Sequence, residues 1–323
     1  MAPTSTESAA GPQDILGPPY VARTLQLARD SEGDVVATLV YRPADGPSTG
    51  KAVLHVHGFA DYFFQTAAAD FWCNRGYDFY ALDLRKYGRS LRPHQTANFV
   101  EDLRTYYEEL DQAYDAISAN YRHLVLSAHS TGGLTVPLWA VERNLRINGM
   151  VLNAPWLDMQ GPAFVRNVAM PAIERLGSRR PHLEIPRKVS GFYARSLHRD
   201  YEGEWEFNLD WKPLQSWPVY AGWVRAIREG QARVAAGIEV PAPVLVLSSS
   251  RTGKPTSVID PVVHSTDIVL DVEQIRRRAP LLARHVTIAQ IDGALHDVTL
   301  SRPAVRKIVF EEMATFLSAY VDG

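Results

Sequence analysis

Short apolar runs and amphipathic stretches alternate along the middle of this chain. Apolar runs of strand length occupy residues 52–57, 77–82, 124–126 and 149–153. Patterns with helical periodicity lie between them, over residues 67–75, 99–120 and 134–141. Strands that alternate with helices predict an α/β fold in which a mostly parallel central sheet is flanked by helices.

The two ends and the centre of the chain depart from this alternation. Residues 1–19 are polar and predict a flexible leader, and residues 21–27 and 34–41 predict a hairpin. Residues 156–240 hold helical pieces, prolines and a dense set of aromatics, which predicts a helical cap inserted into the fold. Strands return at 243–247 and 285–291, and a last helix is predicted over 304–320. We therefore predict a leader (1–19), a core (20–155 and 241–323) and a cap (156–240).

Composition excludes several classes of function. A formal net charge of -2 gives no sign of the excess positive charge that nucleic-acid binding requires. No apolar run is long enough to be an integral membrane segment, and the N-terminus does not resemble a signal peptide, so we expect a cytoplasmic protein. The single cysteine, Cys73, excludes an intramolecular disulfide and is expected to be a buried apolar residue. The oligomeric state is not predicted.

The segment between the strand 124–126 and the helix 134–141 carries the chemistry. It reads Ala128-His129-Ser130-Thr131-Gly132, a serine between small residues at a strand-to-helix turn. Such a nucleophile elbow holds the serine in a strained conformation, and the small neighbours let the strand and the helix approach closely. The helix N-terminus behind Ser130 favours developing negative charge. Ser130 is therefore the predicted nucleophile.

A serine nucleophile needs a base and an acid that orients the base. His296 follows the last predicted strand on a loop that contains glycine, and it is the predicted base. The acid is expected after the strand 243–247, where the residues leave a choice between Asp267 and Asp260. Asp267 is favoured, while Asp271 is expected to cap a helix that begins near residue 272.

Two backbone N–H groups should stabilise the oxyanion of an acyl-transfer reaction. Thr131 offers one of them, directly after the nucleophile, and Phe59 offers the other, after the strand 52–57. The residues expected to line the substrate pocket are Gly58, Asp61, Tyr62 and His129, although Asp61 is equally well suited to cap a helix. His55 and His57 share one strand face, but nothing nearby completes a ligand set, so we predict no metal site.

Together these motifs resemble the α/β-hydrolase superfamily, and within it esterases similar to monoacylglycerol lipases and lysophospholipases. The likeness spans about residues 21–320 and rests on His57-Gly58-Phe59, Asp83-x-Arg85-x-x-Gly88-x-Ser90, the Ser130 elbow, Asp267-Ile-Val and Gly293-x-x-His296-Asp297. It implies Ser130 as nucleophile, His296 as base, Asp267 as acid, and the amides of Phe59 and Thr131 as oxyanion hole. The family's Gly-x-Glu is replaced here by Phe59-Ala60-Asp61, so monoacylglycerol specificity is not carried over.

The sequence therefore predicts a serine hydrolase that cleaves small-molecule carboxylic esters with an apolar or lipid-like acyl group. No metal or organic cofactor is expected. The same residues would also suit an amide, a thioester or a carbon–carbon bond. An idle hydrolase fold that only binds a ligand is a further alternative, and the presence of all three triad residues disfavours it.

Overall fold

The computed structural model describes residues 11–159 and 175–322. One eight-stranded sheet in the order β1-β2-β4-β3-β5-β6-β7-β8 forms its centre. The strands are β1 (Val21–Asp30), β2 (Gly33–Arg42), β3 (Lys51–Val56), β4 (Tyr77–Asp83), β5 (His123–His129), β6 (Gly149–Asn153), β7 (Val244–Ser249) and β8 (Val286–Ile291). β1 and β2 form an antiparallel hairpin that joins β4 antiparallel, and from β4 to β8 all pairs are parallel. The predicted fold class, an α/β-hydrolase fold with a mostly parallel sheet, is confirmed.

Helices cover both faces of the sheet, which is why its central strands are buried and mainly apolar. The helices are α1 (Thr66–Cys73), α2 (Tyr107–Ser118), α3 (Gly132–Glu142), α4 (Phe192–Leu197), α5 (Ala221–Ala235), α6 (Val272–Arg278) and α7 (Pro303–Tyr320). All seven residues of β4 are buried. One core layer packs side chains of α2 and α3 against the sheet, and the layer on the opposite face contains side chains of α1 and α7. Cys73 lies fully buried in this second layer, as predicted.

The helix predicted over residues 99–120 is shorter than expected. A 3₁₀ turn over Leu103–Tyr106 comes first, and α2 begins only at Tyr107. Asp102 explains this start, because its side chain accepts a hydrogen bond from the N–H of Arg104 and so caps the turn. Asn98, with φ of +60°, lies in a left-handed conformation that a helix cannot continue.

The segment between β6 and β7 is the one for which we proposed a cap. Its described part contains α4, α5 and connecting loops, while residues 160–174 lie outside the described residues. Near the N-terminus, Gln13 pairs with Val21, and the buried carboxylate of Asp14 receives two hydrogen bonds from Arg89. Within the described parts of the chain, every helix is too short or too polar to cross a bilayer.

Candidate active site

Ser130 occupies a tight turn between β5 and α3. Its φ of +52° is a left-handed backbone conformation that residues other than glycine rarely adopt. The turn is held on both sides, because the N–H of Ser130 donates to the carbonyl of Asn153 (3.0 Å) and its carbonyl accepts from Trp156 (2.9 Å). Only glycine fits beside it: a Cβ on Gly58 would lie 2.8 Å from the Cβ of Ser130. The strained turn expected from the sequence is therefore present.

Ser130, His296 and Asp267 form a continuous hydrogen-bonded series. The Oγ of Ser130 lies 3.1 Å from Nε2 of His296, and Nδ1 of His296 lies 2.9 Å from Oδ2 of Asp267. A carboxylate only accepts hydrogen bonds, so the proton of His296 belongs on Nδ1 and Nε2 is free to accept one from the serine. All three side chains are buried. Such a geometry can support acyl transfer, in which a serine attacks, a histidine takes its proton and a carboxylate orients the histidine.

The loop after β7 determines which aspartate reaches His296. It folds back on itself, so that Asp267 pairs with residues 251–253 directly beyond the strand. The second carboxylate oxygen of Asp267 accepts from the N–H groups of Val269 and Leu270 (2.8 and 2.7 Å), which fixes its orientation. Asp260 instead caps the 3₁₀ turn Pro261–His264.

Phe59 and Thr131 line the same pocket as Ser130. Among the described residues, neither N–H donates to a protein acceptor. Unpaired donors beside a nucleophile are available to a developing oxyanion.

His57 was not singled out as a site residue from the sequence, yet it holds the peptide that carries one of these donors. The N–H of Leu84 donates to Nε2 of His57 (3.0 Å), so the proton of His57 belongs on Nδ1. Nδ1 then donates to the carbonyl of Gly58 at 2.8 Å. That carbonyl shares one planar peptide unit with the N–H of Phe59. The buried imidazole therefore fixes the direction in which the Phe59 N–H points.

Asp61 is part of a buried ion pair rather than a helix cap. Its Oδ1 lies 2.9 Å from Nζ of Lys212, and both side chains are almost fully buried. Burial raises the pKa of the Asp61 carboxyl, but the Lys212 ammonium together with His129 and His57 holds the pKa below its usual range. The helix α1 begins after Gln65, whose side chain makes no capping bond. The sequence offered no signal for this pair, since 151 residues separate its members.

Asp297, next to the predicted base, anchors the loop that carries His296. Its carboxylate accepts hydrogen bonds from Asn153 (2.6 Å), from both donors of Thr299 (2.7 and 3.0 Å) and from Gln65 (3.3 Å). Burial favours a higher pKa, but His129 and these hydrogen bonds hold the pKa of Asp297 below its usual range. A charged carboxylate with its oxygens occupied stabilises the loop.

Asp61, His129 and Asp297 are the described residues that come closest to a metal-ligand set, with one ligand atom each within 4.8 Å of the others. The ammonium of Lys212 already neutralises Asp61, and side-chain donors already occupy Asp297. A cation would have to displace these partners. The arrangement therefore favours an ion-pair network over a metal centre.

A cavity of about 400 Å³ opens above Ser130. Its walls are mostly apolar and include Trp156, Met159, Ile185, Val189, Leu214, Val219, Trp223, Val224 and Leu270. The charged side chains of Asp61, Arg187 and Lys212 and the imidazole of His129 are among the polar groups that also line it. Burial lowers the pKa of His129, whose Nδ1 bonds to the carbonyl of Asn153 (3.0 Å), so its Nε2 is an acceptor near the nucleophile.

Two residues that were expected to line the pocket lie elsewhere. Gly58 packs beneath Ser130 and permits the close approach described above. Tyr62 is fully buried, with its hydroxyl accepting from the N–H of Asn208 (2.7 Å) and its ring at an edge-to-face angle to Trp211. Neither belongs to the described residues that line the cavity.

Residues 47–301 match the family model described as serine aminopeptidase, S33. The chain belongs to this S33 hydrolase family. Comparison with curated protein sequences finds no match. The family assignment makes the protein a hydrolase and agrees with the resemblance inferred from its motifs.

Solved structures show the same fold. A soluble variant of monoglyceride lipase from Saccharomyces cerevisiae, in complex with a substrate analog, has a TM-score of 0.69 at 15% identity, over 97% of this chain and 99% of that one. The monoacylglycerol lipase of Paleococcus ferrophilus has a TM-score of 0.63 at 20% identity, over 87% and 99%. Est1E from Butyrivibrio proteoclasticus with bound ferulic acid has a TM-score of 0.57 at 13% identity, over 93% and 100%. At such low sequence identities the likeness shows the fold of this S33 hydrolase and does not show its substrate.

Proposed function

We propose that this S33 hydrolase cleaves carboxylic esters through an acyl-enzyme formed on Ser130. The observation that carries the proposal is the hydrogen-bonded series from Ser130 through His296 to Asp267, beside two unpaired backbone donors. The mostly apolar cavity supports an apolar acyl group. Lipase and esterase structures among its neighbours are consistent with this class of substrate.

The proposed reaction has two halves. In the first, Oγ of Ser130 attacks the ester carbonyl while Nε2 of His296 takes the hydroxyl proton, and Asp267 stabilises the imidazolium. The N–H groups of Phe59 and Thr131 hold the oxyanion. His296 then gives its proton to the leaving alcohol, and in the second half water attacks the acyl-enzyme in the same way.

An aminopeptidase reaction, which the family description names, is less well supported by the pocket. Binding a free α-amino group requires an available carboxylate. Among the described residues that line the cavity, Asp61 carries the carboxylate, and Lys212 already neutralises it. We therefore favour esters over aminopeptidase substrates.

The test is labelling with a fluorophosphonate probe, followed by peptide mass mapping and an assay with a panel of p-nitrophenyl esters. Wild-type protein should be labelled on Ser130. Asp267→Asn should slow labelling and turnover by up to about 10⁴-fold, because the wrong tautomer of the base is then favoured. Asp260→Asn is the matched control and should react at the wild-type rate. Folded wild-type protein in which Ser130 stays unlabelled would refute the proposal.

A further inference from the structure

The guanidinium of Arg187 is held at the cavity wall beside the oxyanion loop. Its Nη2 donates to the carbonyl of Trp217 (2.7 Å) and to Oγ of Ser216 (3.0 Å). Its central carbon lies 5.6 Å from the centroid of the Phe59 ring, at cation–π distance. These three contacts fix the group in position and leave the donors on Nε and Nη1 for another acceptor.

Arg187 has no counter-charge in the described structure. Arg187 is an exposed residue whose guanidinium is held by a carbonyl and a hydroxyl rather than by a carboxylate. No described carboxylate lies within ion-pair distance of Arg187. An unpaired guanidinium at the wall of a binding cavity is a site for an anion.

The chain around Arg187 is strongly basic for a protein with a net charge of -2. Residues 175–188 carry five cationic side chains, Arg175, Arg179, Arg180, Arg187 and Lys188, against the single carboxylate of Glu184. In the described structure these five cations form no ion pair. Ile185 and Val189, on either side of Arg187, line the cavity, so the basic segment borders it. Clustered positive charge at the border of a cavity raises the local concentration of anionic ligands.

We infer that the preferred substrates carry a second, anionic group, a carboxylate or a phosphate, which the unoccupied Nη1 of the Arg187 guanidinium binds. This inference rests on the proposed ester hydrolysis and narrows it to anionic esters. Lys212 does not serve this purpose, because its ammonium is already bound to Asp61 at 2.9 Å. With Nη2 of Arg187 occupied, the two N–H groups of Nη1 remain as charge-assisted donors for a carboxylate or phosphate oxygen.

The test compares p-nitrophenyl monoadipate, whose acyl chain ends in a carboxylate, with the same ester capped as its neutral methyl ester. Arg187→Gln should lower kcat/KM for the anionic ester by about tenfold more than for the neutral ester, which corresponds to the loss of one charge-assisted contact. Arg180→Gln is the matched control, since Arg180 is exposed and is not among the lining residues. It should change neither ester by more than a small factor. Added salt should reduce the wild-type preference for the anionic ester.

Calorimetric titration with adipate separates the two proposals, because binding does not require a functional nucleophile. Weaker adipate binding in Arg187→Gln than in wild type would support the inference even if no ester were hydrolysed. Turnover of both esters with no preference, or an equal loss in Arg187→Gln and Arg180→Gln, would overturn it and leave ester hydrolysis standing. A panel of phosphate-bearing esters then decides which anion is preferred.

Discussion

The hydrogen bonds of His57 make a sharp prediction about the oxyanion hole. The imidazole accepts from Leu84 through Nε2 and donates through Nδ1 to the carbonyl of Gly58, on the peptide that supplies the Phe59 N–H. Asparagine and glutamine separate these two functions. The side-chain amide of Asn can take the place of Nδ1, and that of Gln can take the place of Nε2. We therefore expect His57→Asn to keep the Phe59 donor in place and His57→Gln to release it.

The expected fall in kcat follows from the hydrogen bond that each variant loses. Complete loss of an oxyanion donor costs about 10²–10³ in kcat, which is the upper limit for His57→Gln. One neutral hydrogen bond contributes about 1 kcal/mol, or about fivefold in rate, which is the lower limit. His57→Gln should thus lower kcat by between about fivefold and about a thousandfold. His57→Asn should keep kcat within a small factor of wild type. Both should lose about 1–3 kcal/mol of unfolding free energy, because each leaves one buried backbone group unpaired.

The assay is steady-state hydrolysis of p-nitrophenyl butyrate, with urea unfolding of each variant measured in parallel. A selective fall in kcat, with KM little changed, is expected for His57→Gln because the contact acts in the transition state. Equal losses of kcat in the two variants would refute the reasoning. His57 would then be a packing residue whose replacement disturbs the site in general.

Three further predictions follow from other buried contacts. Lys212→Met should cost about 3–5 kcal/mol of unfolding free energy, because it leaves the Asp61 carboxylate unpaired. Adding Asp61→Asn should recover part of that loss. A double-mutant cycle measured by urea unfolding in which the two changes simply add would contradict this prediction. His55 is buried with its pKa lowered to about 4 from 6.5. The unfolded chain therefore binds a proton there that the folded protein excludes, and about 3 kcal/mol of stability should be lost as the pH falls from 6.5 to 4. His55→Gln should remove this loss and exposed His285→Gln should not, when urea unfolding is compared on either side of that pH window. A Cβ on Gly132 would lie 2.4 Å from a backbone carbonyl oxygen. Gly132→Ala should therefore slow fluorophosphonate labelling by about a hundredfold or more. A variant that labels at the wild-type rate would contradict the close packing of the turn.

Local patterns predicted the fold well because the spacing of apolar residues along a segment reflects which of its side chains are buried. Apolar runs with helical stretches between them led to the parallel strands, and a serine between small residues led to the turn at Ser130. The order of Ser130, the acid and His296 along the chain also agrees with the structure, since parallel strands bring their carboxyl ends to one edge. The start of α2 was the main local error, because a single side-chain cap at Asp102 decides it.

The sequence by itself determined the mostly parallel sheet, the place of Ser130 at a strand-to-helix turn, and the place of His296 on the loop after the last strand. Only the tertiary structure brings Asp267, and not Asp260, to His296, because this contact depends on how the loop after β7 folds back. The same is true of the Lys212–Asp61 pair and of Arg187 at the cavity wall. Such contacts join residues that lie far apart along the chain, and no local periodicity records which of them will meet. Secondary structure follows from burial along one segment, whereas the charges and donors of the site depend on where several loops converge.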